Sequence, residues 1–152
     1  MTIIVGSLAF QNWHRQVRQK GLGPQQAMDY VIDKTAAAAK RFGFSPMGID
    51  LGVARFPSTD RAYLDELKAR LAELNLRPNI GFGSIACTLD AEVREAALKT
   101  ALRNLEIAAY MGASTSNFGL QRNGRVTREG QIRFAIDQLK IVGKEAKSLG
   151  LR

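Results

Sequence analysis

The chain has 152 residues, 45% hydrophobic and 24% charged, the balance of a single folded domain able to bury about two-thirds of its unfolded surface. It is too short for a complete eight-unit βα barrel of roughly 250 residues, and its one cysteine, Cys87, excludes an internal disulfide and any multi-cysteine metal site. Twenty-two Lys and Arg against fourteen Asp and Glu give +8, but no long run of like charges, so a solvated surface or one half of a charge-complementary pair is expected and nucleic acid is not. The opening MTIIVGSLAF lacks a cationic start and a cleavage site. No apolar run approaches the ~20 residues of a membrane span, so the setting expected is cytoplasmic and reducing.

Residues 2–10 are β-branched at their start and predict a buried first strand. Pro24 suits a first helical position, where its missing N–H costs nothing. Met28, Val31, Ile32, Thr35, Ala39 and Phe42 then form one stripe, ended by Gly43. Residues 47–51 predict a short second strand. Ser58 or Thr59 is the expected cap of a second helix carrying Leu64, Leu67, Leu71 and Leu74, with Asn75 as its left-handed stop. Residues 77–82 predict a third strand opened by Pro78.

Thr88 or Asp90 caps a long third helix with Val93, Ala97, Ala101, Leu105 and Ala108 inward, closed by Met111 and Gly112. Residues 113–118 are taken as a fourth strand from their place in the rhythm, because propensity alone makes them loop. Thr127 caps a last helix with Ile132, Ala135, Ile136, Leu139, Val142 and Ala146 inward. Gly150 stops it, and Leu151 and Arg152 read as the first residues of another strand. The stops at Gly43, Asn75, Gly112 and Gly150 recur about every 32 to 38 residues, one βα crossover each. The fold class expected is α/β: four parallel βα units forming one domain over 1–152, either half of a (β/α)8 barrel or a small doubly wound open sheet. Ile3, Val5, Ile49, Leu51 and Ile80 are expected on the inward face of its sheet.

In either architecture ligands meet the C-terminal ends of the strands. That places Ser7, Phe10, Asn12, Trp13 and His14 after strand one, and Asp50, Arg55 and Phe56 after strand two. Gly81, Gly83, Ser84 and Cys87 follow strand three, and Asn117, Gln121 and Arg122 follow strand four. His14 is the only histidine and the only side chain that titrates near neutrality unperturbed. Asp50 either holds a substrate hydroxyl or pairs with an arginine. Gly81-Phe82-Gly83-Ser84 lacks the lysine of a phosphate loop; its glycines are expected to serve a turn, with phosphate binding by its N–H groups left open. One His, one Cys and no close carboxylate pair at a strand end make no divalent-metal site.

Residues 48–83, GIDLGVARFPSTDRAYLDELKARLAELNLRPNIGFG, resemble the xylose isomerase-like barrel superfamily. Its members have a strand ending in an acid, a helix like LDELKARLAELNL and a strand after a short basic or proline turn. EVREAALKTALRNLEIAAYMGAS is similar to that family's third helix and the Gly-Ala leading to its fourth strand. The resemblance spans nearly the whole chain and corresponds to the N-terminal half of such a barrel. It implies a metal-dependent sugar or sugar-phosphate isomerase or epimerase as parent, acting by proton transfer beside a carbonyl. The family's two Glu, Asp and His ligands come from its second half. No residue here inherits a ligand role, and Mn²⁺, Mg²⁺, Zn²⁺ or Co²⁺ is expected only with that half. Whether this chain is itself an enzyme stays open. The substrate-side candidates are Phe10, Trp13, His14, Asp50 and Asn117. The partners expected are a sugar or sugar phosphate, and a second copy or a complementary half. The alternatives are a non-catalytic, self-associating half-barrel and a fragment of an endonuclease IV-type repair enzyme.

Overall fold

The computed structural model describes residues 3–5, 15–17 and 19–152. They form two compact units, one ending at Asn79 and the other spanning Ile80–Arg152. In the first, β1 (Ile3–Val5) and β2 (Met47–Gly52) run parallel, Ile3 opposite Met47 and Val5 opposite Ile49. With β3 (Leu76–Gly81) they form a sheet in the order β1-β2-β3.

Helix α1 (Pro24–Phe42) joins β1 to β2 and starts with Pro24 in its first turn. The Gly23 N–H donates to Gln26 Oε1 at 3.2 Å. Gly43 stops the helix at φ 68°, its N–H bonded to the Ala39 carbonyl. Met28, Val31, Ile32, Thr35 and Ala39 are buried as the stripe predicts. Phe42, placed on the same stripe, is exposed, because α1 ends there and Gly43 turns the chain away. Asp60, not Ser58 or Thr59, is the N-cap residue of α2 (Arg61–Glu73), while Ser58 Oγ accepts the Asp60 N–H at 2.9 Å. Leu64, Leu67 and Leu71 bury the inner side of α2, each burial worth about 1.5–3 kcal/mol. Across the helix pair, Arg70 reaches both Asp29 and, at 2.7 Å, Asp33.

The expectation that Ile49, Leu51 and Ile80 line an inward apolar face is corrected. They are 0%, 4% and 0% exposed within this chain alone, and α1 packs on β2. Side chains alternate along a strand, and the other face of β2 carries Gly48, Asp50 and Gly52, the last two half-buried. In β3 the corresponding set is Arg77, Asn79 and Gly81. The aliphatic residues thus serve the helix layer, and the opposite face is glycine-rich and polar. The side chains of Ile3 and Val5 lie outside the described residues.

In the second unit the chain bends at Gly83, φ 115°, so β3 is followed at once by a short β4 (Ser84–Ala86) that the sequence reading did not separate. The buried Asn104 amide donates to the Phe82 carbonyl at 3.0 Å and braces the bend. β4 runs parallel to β5 (Gly119–Gln121). The fourth ladder therefore lies just beyond 113–118, where it was expected. Those polar residues still run beside the bend after β3, the Phe82 N–H donating to the Asn117 carbonyl at 2.9 Å. Arg152 donates its N–H to Ser114 O at 3.0 Å and accepts from Ser116 N–H at 3.1 Å, the hydrogen-bond pair of a parallel bridge opposite Thr115.

Helix α3 (Ala91–Tyr110) is capped by Asp90, which accepts from Glu92 N–H and Val93 N–H, and α4 (Arg128–Ser148) by Thr127, which accepts from Gly130 N–H. Ala101, Leu105 and Ala108 are buried as expected, whereas Val93 is exposed. On α4 the buried stripe is Ala135, Gln138 and Val142. It is rotated toward Gln138, whose amide donates to the Ala86 carbonyl at 2.9 Å. That rotation leaves Ile132 and Ile136 exposed. No helix among the described residues is long and apolar enough to cross a membrane.

Candidate functional site

The C-terminal end of β2 opens into a cleft with a volume of ≈ 200 Å³. Its bed is apolar: Val17, Met28, Val31 and Leu51 line it, and Asp50 and Arg55 bring the charge. Met28, Val31 and Leu51 belong to the core, so the bed is the end of that core, open beside Asp50 where β2 stops. The 3-10 turn Val53–Arg55 follows at once and brings Arg55 to the same cleft. Asn79 on β3 donates to Asp50 Oδ1 at 3.1 Å and orients the carboxylate. A mostly apolar pocket with a few convergent polar groups is the usual form of a small-molecule site. Its lining combines an apolar bed with one carboxylate and one guanidinium-bearing residue.

Asn117, in the second unit, stands just before β5. Its carbonyl is held by the Phe82 N–H, and its amide oxygen lies over Gly81, 2.6 Å from where a Cβ would stand. Phe118 beside it stacks on Phe82, centroids 5.4 Å apart and planes 23° apart. Cys87 is buried at the end of β4. Phe10, Trp13 and His14, with Ser7 and Asn12, lie outside the described residues. Asn79 was missed by the sequence reading. The available signal was the Arg77, Asn79, Gly81 alternation, which puts polar groups where a two-faced buried strand would carry aliphatics.

Among the described residues no group of three or more His, Cys, Asp or Glu side chains gathers as metal ligands would. Their donor set does not fit a catalytic divalent ion.

The family model of the xylose isomerase-like TIM barrel matches residues 36–152. The chain belongs to this family. Among solved structures, it is similar to a D-psicose 3-epimerase from Clostridium cellulolyticum H10 in complex with D-tagatose, with TM-score 0.62 and 19% identity, covering 80% of this chain and 44% of that one. It is also similar to a xylose isomerase-like TIM barrel protein from Mycobacterium smegmatis in complex with magnesium, with TM-score 0.56 and 21% identity, covering 82% of this chain and 45% of that one. The chain thus spans less than half the length of either structure and has the fold of four βα units, half of a TIM barrel. No curated protein matches it in sequence.

Proposed function

We propose that this chain is the substrate-side half of a xylose isomerase-like barrel that isomerises or epimerises a sugar or sugar phosphate in the cytoplasm. It acts as one domain completed by a second copy or a complementary half. The observation that carries the reading is Asp50, held by Asn79 at the mouth of an apolar cleft, at a C-terminal strand end where barrels of this family bind their ligands. Asp50 accepts from substrate hydroxyls, and Arg55 donates to hydroxyl or phosphate oxygens. Asn117, Phe10, Trp13 and His14 remain the further substrate-side candidates that the resemblance implies. The divalent ion expected of the family belongs with the complementary half, because the residues described here supply no ligand set.

Calorimetric titration with D-tagatose and its 6-phosphate tests this. A hydrogen bond to a charged group is worth about 1.5–3 kcal/mol, so Asp50→Ala should weaken binding roughly ten- to hundred-fold. Asp50→Asn should recover part of that loss. Equal affinity of wild type and Asp50→Ala would refute the role of Asp50. No heat with either ligand would refute the sugar reading.

A further inference from the structure

A short helical turn precedes α1. Arg15, Gln16, Val17 and Gln19 are helical. The Lys20 N–H donates to the Gln16 carbonyl at 2.9 Å, and the Leu22 N–H to the Val17 carbonyl at 3.3 Å. Gly21, at φ 62°, gives the left-handed residue that such a stop requires. Gly23 follows as the N-cap residue of α1, so the turn is joined to that helix through Gly21-Leu22-Gly23. A single turn does not hold in water by itself, because nucleating a helix costs more than its first hydrogen bonds return. Something outside the turn must hold it.

Tyr30 on α1 is placed to do so. Its hydroxyl donates to Gln16 Oε1, and its ring centroid lies 5.9 Å from the Lys20 ammonium, within cation–π range. Gln16 and Lys20, four positions apart, share one side of the turn. Among the described residues, the Tyr30–Gln16 bond is the hydrogen bond that ties the turn to α1. Val17, about 100° further round the turn, lines the Asp50 cleft together with Met28 and Val31 of α1. One side of the turn thus meets Tyr30 and another walls the cleft, while Tyr30 is not among the lining residues.

We propose that this turn is a wall of the Asp50 cleft hinged at Gly21-Leu22-Gly23, and that Tyr30 is the positioning residue that moors it. The proposal deepens the sugar-binding reading of that cleft and rests on it. With the turn docked, Val17 completes the apolar bed; with the turn released, that side opens to water. A ligand that touches Val17 favours the docked turn, and docking favours the ligand by the same factor.

Amide hydrogen exchange at Lys20 and Leu22 tests this, because both N–H groups are bonded only while the turn is formed. Tyr30→Phe keeps the ring and loses the hydroxyl, and without ligand it should speed both exchanges roughly two- to tenfold. Gln16→Ala should do the same, and the double variant no more than either. Exchange at Ile32 and Thr35, in the buried stripe of α1, should not change. Saturating D-tagatose should slow exchange at Lys20 and Leu22 about threefold or more in the wild type. Unchanged exchange at these two amides in Tyr30→Phe overturns the proposal. So does a rise that extends through α1, the mark of a merely structural tyrosine, or heat on D-tagatose binding without added protection. Asp50→Ala separates the two ideas, since it removes a ligand contact and should leave ligand-free exchange at the turn at its wild-type rate. No heat with D-tagatose refutes the sugar reading, while the ligand-free comparison still decides the mooring by Tyr30.

Discussion

Replacing Gly81 by alanine isolates the placement of Asn117. The new methyl carbon would stand 2.6 Å from Asn117 Oδ1, about 0.8 Å inside ordinary contact, deep in the repulsive wall. The Gly81 backbone is not at positive φ, so the alanine itself is unstrained there. The clash is relieved only if the Asn117 side chain swings away. Its backbone is tethered through the Phe82 N–H, so it cannot follow freely. Overpacking of this kind costs about 1–3 kcal/mol, which lowers the melting temperature of a 152-residue chain by roughly 2–10 °C. A double-mutant cycle is the assay. In an Asn117→Ala background the obstructing amide is gone, and Gly81→Ala should be neutral or stabilising by about 0.4–1 kcal/mol, because alanine narrows the unfolded ensemble. The coupling energy should therefore exceed about 1 kcal/mol. Additivity within about 0.5 kcal/mol would refute the contact and the orientation of Asn117 with it.

Among the described residues, Tyr63 buries its hydroxyl without a hydrogen-bond partner. Tyr63→Phe should therefore be neutral or stabilising by up to about 1 kcal/mol in denaturant melts. Burial, aided by the nearby Asp29 charge and opposed by Arg70, pushes the Tyr63 phenol up to about 12. Its neutral form is the one the fold favours, so its contribution is intact below pH 10 and is lost as pH rises from 10 through 12; ultraviolet titration of wild type against Tyr63→Phe reads this step. Arg70→Met breaks both links from α2 to α1. The pairs are about one-third exposed or more, so the loss should be about 1 kcal/mol or less and should shrink in salt. Leu105→Ala, in the core of the second unit, should cost about 2–5 kcal/mol in the same melts.

The helix ends were the most legible part of the sequence. Gly43, Asn75, Gly112 and Gly150 all adopt the positive φ that their position after a helix demands, because that chemistry is local. Thr127 and Asp90 cap for the same reason. Strand four was less legible. Its ladder depends on where the bend at Gly83 releases β4, and Asn104, twenty-two positions away from Phe82, braces that bend. The alternate face of the sheet was misread because Ile49, Leu51 and Ile80 suit either a barrel interior or a helix-covered face. Only the polar residues between them, Asp50 and Asn79, distinguish the two. Gln138 shows the same limit, being a polar residue that the α4 stripe buries because a carbonyl on β4 needs its amide.

The two faces of β2 have consequences for how such a chain can change. Met47, Ile49 and Leu51 answer to the helices, whereas Gly48, Asp50 and Gly52 answer to whatever enters from the other side. A substitution at Asp50 or Gly52, both half-buried, disturbs less of the packing that keeps the chain folded than one at Ile49 or Leu51. The strand end can therefore drift through single replacements without first losing the scaffold, and an evolving lineage can sample new surfaces on an old frame. A deep mutational scan selected first for folding and then for ligand would show the separation directly, as two residue sets alternating along one strand.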